Sequence, residues 1–98
     1  MSTTNRLKRR RWLNKISSHT VAFIRMTLDR EEWTTETGEG DEKIIEKTVT
    51  ISGDIMIGDC RRLITLDFEG DANSRYKIRR LIEELQLFER TLIATMEE

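Results

Sequence analysis

The sequence predicts an α+β fold, in which a long C-terminal helix covers one face of a three-stranded antiparallel β-meander and a short basic helix or arm comes first. Two observations predict it. Apolar residues between positions 73 and 96 recur at the helical period, and apolar residues between positions 19 and 69 alternate with polar ones in three runs. Turn signals with glycine separate the runs. A chain of 98 residues is long enough for one domain with a modest core.

The C-terminal helix is predicted over residues 73–96. When the segment is wound at about 100° per residue, eight apolar side chains fall on one stripe. They are Ile78, Leu81, Ile82, Leu85, Phe88, Leu92, Ile93 and Met96. Asp71 or Asn73 can accept hydrogen bonds from the first free N–H groups and so begin the helix. Because the stripe must be buried, we expect the helix to lie across the apolar face of the sheet.

Three strands are predicted, at residues 19–29, 43–57 and 60–69. Their apolar face carries Ala22, Ile24, Met26 and Leu28 from the first strand, Ile45, Val49 and Ile51 from the second, and Ile64, Leu66 and Phe68 from the third. Two-residue loops at positions 38–39 and 58–59 pair Met26 with Ile51 and Ile51 with Leu66. A slip by one residue would move an apolar set to the wrong face, so this match supports the meander.

A basic leader precedes the predicted sheet. Residues 1–28 hold 7 basic residues and no acid, whereas the rest of the chain holds the other 10 of the 17 basic residues and all 18 acids, so the two parts carry +7 and −8. We therefore predict a basic arm at 1–18 and a βββα domain at 19–98. Cationic side chains followed by an aromatic ring suit phosphate contacts plus stacking. The predicted nucleic-acid-binding residues are Arg6, Lys8, Arg9, Arg10, Arg11, Trp12 and Lys15.

Residues 6–15 weakly resemble the arginine-rich peptide motif of phage antiterminators and lentiviral RNA-binding peptides, and this resemblance implies contact with RNA. Other interpretations of the leader stay open. It could be a solvated tail, or a short helix that docks on the acidic body through Trp12, Leu13 and Ile16. It could also be a targeting segment, because residues 1–28 lack acids and are rich in Arg, Ser and Thr, like a mitochondrial presequence.

A second basic cluster lies at the start of the predicted C-terminal helix and contains Arg75, Lys77, Arg79 and Arg80. The order helix, three strands, helix is similar to the double-stranded-RNA-binding domain. The strand–strand–strand–helix part also looks like the small arm-binding domains of tyrosine integrases. The first similarity implies that this cluster contacts phosphates. A solvated helix face with ion pairs four residues apart, such as Arg80 with Glu84, explains the same residues, and we favour that interpretation.

Apolar residues outside the predicted core indicate a surface for a partner. They lie on the outer sheet face, at the far end of the first hairpin, or opposite the helix stripe. These residues are Val21, Phe23, Trp33, Ile44, Leu63, Tyr76 and Leu87. Such a patch is typical of a protein partner or a homodimer, and an open edge strand could also add a strand. The alternative is that the N-terminal segment folds over the outer face.

Catalysis and cofactor binding are not predicted. His19 and Cys60 are single copies, which cannot supply the three or four ligands of a metal site, and the predicted sheet separates them. We therefore predict no enzyme, no metal, no cofactor and no small-molecule substrate. The lone cysteine favours a reducing compartment, and no apolar run approaches the length of a membrane span, so the predicted location is cytoplasmic.

Two classes of function remain. The first is a small accessory or regulatory binding protein, of the kind that viruses or phages encode. Its basic arm contacts nucleic acid or a nucleic-acid-associated partner, while its acidic body docks a protein or dimerises. The alternative is a pure protein–protein interaction module with no nucleic-acid contact, either an inhibitor of a host enzyme or a subunit of an oligomeric assembly.

Overall fold

The computed structural model describes residues 2–14 and 22–98. The chain is α+β: four strands form one antiparallel sheet in the order β1-β2-β3-β4, and one helix follows. The strands are β1 (Ser2–Trp12), β2 (Ala22–Thr37), β3 (Ile44–Asp59) and β4 (Arg62–Glu69). A 3₁₀ turn, Gly40–Glu42, lies between β2 and β3, and the helix α1 spans Ala72–Met96.

The basic leader forms a strand, so the prediction of a short N-terminal helix or arm beside a three-stranded sheet was wrong. β1 pairs with β2 along its length, with Leu7 opposite Leu28 and Trp12 opposite Phe23. This pairing supplies backbone hydrogen bonds and places apolar side chains beside each other. An isolated helix of this length is marginal in water, so pairing with a neighbouring strand is the stronger alternative.

Side chains and backbone groups hold both ends of β1 against β2. The pairing register shifts between Asn5 and Leu7, which marks a β-bulge. At this bulge the Asn5 side chain donates hydrogen bonds to the Asp29 carboxylate at 2.8 Å and to the Leu7 carbonyl at 3.2 Å. At the other end, the Leu13 N–H donates to the Ala22 carbonyl at 2.7 Å. The basic strand is therefore an integral edge of the sheet.

The pairing of the other strands differs from the predicted register by four residues. Met26 lies opposite Ile55 rather than Ile51, and Leu66 likewise lies opposite Ile55 rather than Ile51. Because four is an even number, every side chain keeps its predicted face. The alternation was thus correct, although the residue pairs were not.

The loops explain this difference in register. Residues 38–43 join β2 to β3, which is longer than the predicted two-residue turn and includes the 3₁₀ turn. β3 continues to Asp59, and the two-residue loop falls at residues 60–61 instead of 58–59. Cys60 adopts a φ of 55°, the left-handed conformation that tight hairpin turns require. A turn signal without glycine at this position was not recognised in the sequence.

Alternation divides the sheet into two faces of different character. The apolar face carries Leu7, Ile24, Met26, Leu28, Val49, Ile51, Ile55, Ile57, Ile64, Leu66 and Phe68. The opposite side, called here the mixed face, carries basic, acidic and aromatic side chains, and it is the side on which the candidate site lies.

Hydrogen bonds fix the start of α1. The Asp71 side chain caps the helix by accepting from the Ser74 N–H at 2.7 Å, and the Glu69 N–H donates to the Ser74 hydroxyl at 2.8 Å. Gly70 joins strand and helix at a point where a Cβ would come within 2.8 Å of Ile51. Of the two predicted capping residues, Asp71 is thus the one used, and Asn73 lies inside the helix.

A second set of contacts fixes the direction of α1. The Lys77 ammonium donates to the Asp67 carbonyl at 2.7 Å and lies 4.8 Å from the centroid of the Phe68 ring. Ile78 lines a shallow apolar cavity together with Met26 and Phe68. The first two turns of the helix are therefore held at the apolar face.

Beyond these two turns α1 does not cover the sheet, so the predicted helix-over-sheet packing was wrong. Leu85 and Phe88, which were expected to lie on the sheet, are exposed. Only residues 70–71 connect β4 to α1, and the contacts of the first turns set an axis along which the helix leaves the apolar face. Among the described residues, no hydrophobic side chain is fully buried.

The chain is accordingly extended. Its radius of gyration is 20.3 Å and its principal extents are 75, 25 and 18 Å. A compact domain of this length has a radius of gyration of about 13 Å. One copy of the chain therefore leaves both the apolar face and most of the helix stripe open.

The Asp71 cap predicts a specific loss of stability in acid. The hydrogen bond from the Ser74 N–H holds the pKa of Asp71 below its ordinary value. The stability that the carboxylate contributes is therefore present above the unfolded-state pKa and is lost as the pH falls through the lowered folded-state pKa. Asn can cap without a charge. We expect Asp71→Asn to weaken the fall in melting temperature below about pH 4, as followed by far-ultraviolet circular dichroism.

Asp41→Asn is the matched control, because Asp41 lies in the 3₁₀ turn and caps no α-helix. In this variant the melting temperature should fall below about pH 4 as it does in wild type. An equal fall in wild type and in Asp71→Asn would contradict the role of the Asp71 cap.

Candidate nucleic-acid interface

Basic side chains of β1 point to both faces of the sheet at one edge. Lys8 and Arg10 lie on the mixed face, whereas Arg9 and Arg11 lie at the border of the apolar face. All four are exposed. Among the described residues, none of the four forms an ion pair. Four of the cationic residues predicted to bind nucleic acid are therefore accessible.

A stack of two aromatic rings and one guanidinium group stands on the mixed face. The rings of Trp12 and Phe23 meet edge to face, with centroids 6.1 Å apart and an interplanar angle of 80°. The Arg10 guanidinium carbon lies 4.8 Å from each ring centroid. Such cation–π contacts orient the arginine while leaving its charge in water. The Trp12 side chain is 59% exposed, so it retains surface on which a base can stack.

Gly58 lies beneath the Phe23 ring of this stack. It lies opposite Phe23 in the β2–β3 pairing and is buried beneath the Phe23 ring. A Cβ at this position would come within 2.4 Å of the ring. The glycine therefore allows Phe23 to lie flat across β3 and to meet Trp12.

Two arginines face each other inside the patch. Arg10 of β1 lies directly opposite Arg25 of β2. Like charges at directly opposed positions destabilise a sheet. A local conflict of this kind is typical of a site selected for binding rather than for stability. Arg25 was not assigned to the site from the sequence. The available signal was its position two residues after Phe23, which puts both side chains on the same face of a strand.

Charge on the mixed face is segregated. The basic patch consists of Lys8, Arg10, Trp12, Phe23 and Arg25, towards the β1 edge and the end of the sheet where β1 finishes. Acidic side chains occupy the rest of this face: Asp29, Glu31, Glu46, Asp54, Asp67 and Glu69. A polyanion would be attracted to the basic patch and repelled by the remainder of the face.

The predicted partner residues do not form one surface. Phe23 joins the basic patch, and Leu63 lies in the same row, opposite Gly58. Trp33 and Ile44 lie at the other end of the long β2–β3 hairpin, both exposed, and their strand partners are threonines. Trp33 therefore does not pair with Ile44.

The remaining predicted residues are dispersed. Tyr76 and Leu87 are exposed on α1, away from the basic patch. Arg6 lies at the β-bulge of β1. Lys15 and Val21 lie outside the described residues, as does His19.

The basic cluster of α1 is engaged in local contacts. Lys77 binds the Asp67 carbonyl, and Arg80 approaches Glu83 at 3.9 Å and Glu84 at 3.6 Å. These exposed pairs are typical of a solvated helix face. The predicted pair of Arg80 with Glu84 is thus present, whereas no ion pair of Arg75 or Arg79 is found among the described residues.

Potential metal ligands are dispersed in the described part of the chain. No set of three or more potential metal ligands comes together within residues 2–14 and 22–98. Cys60 is exposed in the β3–β4 turn. Hydrogen bonds from Lys47 and Arg30 lower the pKa of Glu32. These two ion pairs lie near the middle of the β2–β3 hairpin, and the one with Lys47 joins its strands.

Comparisons with protein-family models, with curated proteins and with solved structures find no match. Within the described residues, no helix combines the length and apolar character needed to cross a bilayer.

The position of Gly58 beneath Phe23 can be tested by substitution. Gly58→Ala should displace the Phe23 ring and separate it from Trp12, because the new methyl group has no room. We expect a reduced near-ultraviolet circular dichroism signal from Trp12 in a Trp33→Phe background. Ser52→Ala, on the same face of β3, is the control and should leave the signal unchanged. A near-ultraviolet signal of wild-type strength in Gly58→Ala would contradict the packing of Phe23 against Gly58 and Trp12.

Proposed function

We propose that this protein is a non-enzymatic accessory binding protein that contacts single-stranded nucleic acid through the basic patch of its sheet. The observation that carries the proposal is the stack of Arg10 on Trp12 and Phe23 on an open sheet face. The basic side chains around it form no ion pair within the described part of the chain. An open sheet bearing aromatic rings and cations is a common platform for single-stranded nucleic acid.

Each part of the patch suits one part of that ligand. Lys8 and Arg10 can contact successive phosphates along the β1 edge, and Arg9 and Arg11 extend the positive charge around that edge. The indole of Trp12 and the guanidinium plane of Arg10 offer flat surfaces on which bases can stack. Stacking on such surfaces tolerates any base, so we expect weak sequence preference.

The distribution of charge supports a localised contact. The whole chain carries a net charge of −1, so it has no general affinity for polyanions. Attraction is confined to the β1 edge, where none of residues 2–14 is acidic. The acidic half of the mixed face would keep a bound strand at that edge.

A pure protein–protein interaction module is the second candidate function. The open apolar face of the sheet favours it, because contiguous apolar surface is typical of a docking site. In that case the basic residues of β1 would serve to prevent edge-to-edge pairing, a role that Lys and Arg often have on edge strands. The two candidates differ in whether any nucleic acid binds at low salt.

Neutralising the β1 edge should reduce the salt dependence of binding. For single strands, each phosphate contact contributes about 0.7 to the slope of log K against log salt concentration. Replacing three contacts by Arg9→Gln, Arg10→Gln and Arg11→Gln should therefore lower the slope by about 2 and weaken binding. Fluorescence anisotropy with a labelled oligonucleotide, measured over a salt series, gives both quantities.

The matched control carries the same change in charge on α1, as Arg79→Gln, Arg80→Gln and Arg90→Gln. It should keep the wild-type slope. If no binding of wild type is found at low salt, the proposal fails and the protein–protein module becomes the better account. Equal effects of the two triple variants would show that the β1 edge is not the contact surface.

Removing the indole should cost affinity without changing charge. Stacking of one base on an aromatic side chain contributes about 1–3 kcal/mol, so Trp12→Leu should weaken binding by about 5- to 150-fold. Trp33→Leu is the control, because Trp33 is also exposed on the mixed face but lies among acidic residues. Affinity should fall only for Trp12→Leu. A duplex that binds as tightly as a single strand, with no effect of Trp12→Leu, would contradict stacking.

A further inference from the structure

Helix α1 carries a heptad repeat. From Ile78 onward, core-type residues recur at alternating intervals of three and four, and the series is Ile78, Leu81, Leu85, Phe88, Leu92 and Thr95. This alternation gives a period of 3.5 residues, which is the a/d pattern of helices that pack on other helices. We call these six residues the α1 seam.

The described chain leaves most of this seam uncovered. Ile78 and Leu81 are partly buried, but Leu85 is 55% exposed and Phe88 is 68% exposed. Ile82 and Met96 follow Leu81 and Thr95 and widen the same apolar stripe. No strand of the described chain packs against the helix beyond its first turns.

The amount of exposed surface is sufficient for a stable interface. The accessible surface of one copy is 8816 Å². A compact monomer of 11.6 kDa would expose only about 5,800 Å², which leaves an excess of roughly 3,000 Å². A standard interface takes about 600–1,000 Å² from each partner. The excess of the whole chain is therefore larger than the area that such an interface takes from one partner.

We infer that two copies of this chain associate through the α1 seam as an antiparallel helix pair. A heptad seam is complementary to itself, so a second copy of this chain is the partner that fits it. In an antiparallel pair the layers join Ile78 to the partner copy's Thr95, and Leu85 to its Phe88. The remaining layer joins Leu81 to the partner copy's Leu92.

Charges beside the seam select this orientation. A parallel pair would bring Glu84 of each copy opposite Glu89 of the other, on both flanks, and like charges at these positions oppose pairing. In the antiparallel pair Glu84 instead lies beside Thr91 of the other copy, so this repulsion is absent. The helix dipoles also run in opposite directions.

This arrangement places the two sheets at opposite ends of the helix pair. Each sheet keeps its basic patch, because the patch lies on the mixed face and takes no part in the seam. The inference does not rest on nucleic-acid binding: dimerisation and binding can each fail while the other holds.

The first test measures mass by light scattering after size exclusion. The full chain should have the mass of two copies at tens of micromolar, which is the concentration range of ordinary preparations. Leu85→Asn should raise the dimer dissociation constant at least about tenfold, because it places an amide in the seam. Leu87→Asn is the matched control, since Leu87 is 51% exposed but lies off the seam, and it should stay dimeric.

A monomeric wild type, a mass other than two copies, or equal masses for Leu85→Asn and Leu87→Asn would overturn the inference. Far-ultraviolet circular dichroism of the two variants separates loss of association from loss of helix.

The second test measures orientation by disulfide cross-linking in a Cys60→Ser background. Mixing Ile78→Cys protein with Thr95→Cys protein should give the mixed disulfide dimer in high yield under mild oxidation, because these positions share a layer. Thr95→Cys alone should cross-link poorly. Efficient self-cross-linking of Thr95→Cys, with no mixed product, would show a parallel pair and overturn the antiparallel arrangement.

Discussion

Burial of apolar surface is the constraint on which this structure depends. The sheet separates its apolar residues from its charged ones, but the helix that could cover them is directed away by the contacts of Ser74 and Lys77 at its start. Hydrophobic burial is the dominant favourable term in folding, and the described residues of one copy bury no large side chain completely. Within the described residues the apolar face and the α1 seam stay open, and our proposal is that a second copy covers the seam.

The same constraint separates the two kinds of surface. Apolar residues gather on one face of the sheet and along α1, and in the inferred dimer a second copy buries those of the α1 seam. Cations and aromatic rings gather on the mixed face at the β1 edge, where Arg10 remains in water above Trp12 and Phe23. A strand whose cations lie at an open edge can bind a polyanion without uncovering the apolar face. Assembly and binding are therefore compatible in one molecule.

Sequence patterns predicted the faces of the sheet better than its pairs. Alternation placed Met26, Ile51 and Leu66 on one side, and a register error of four residues left this unchanged because side chains repeat every two residues. Within the basic patch, Lys8, Arg10 and Trp12 were named from the sequence as candidates for nucleic-acid contact. The β1 strand was missed because a short, highly charged run carries both a helical and an alternating pattern. Arg25 was missed because its position opposite Arg10 depends on that unrecognised pairing.

The packing of α1 could not be predicted from the sequence. An apolar stripe indicates that a helix face is buried, but it does not identify the surface that covers it. The most direct measurement of this account is the urea midpoint of unfolding as a function of protein concentration. If folding and association are coupled, a hundredfold increase in concentration should stabilise the folded state by about 2.7 kcal/mol and raise the midpoint accordingly. A midpoint that is independent of concentration, with full helix content in the dilute sample, would show that a single chain is stable alone and would contradict the account.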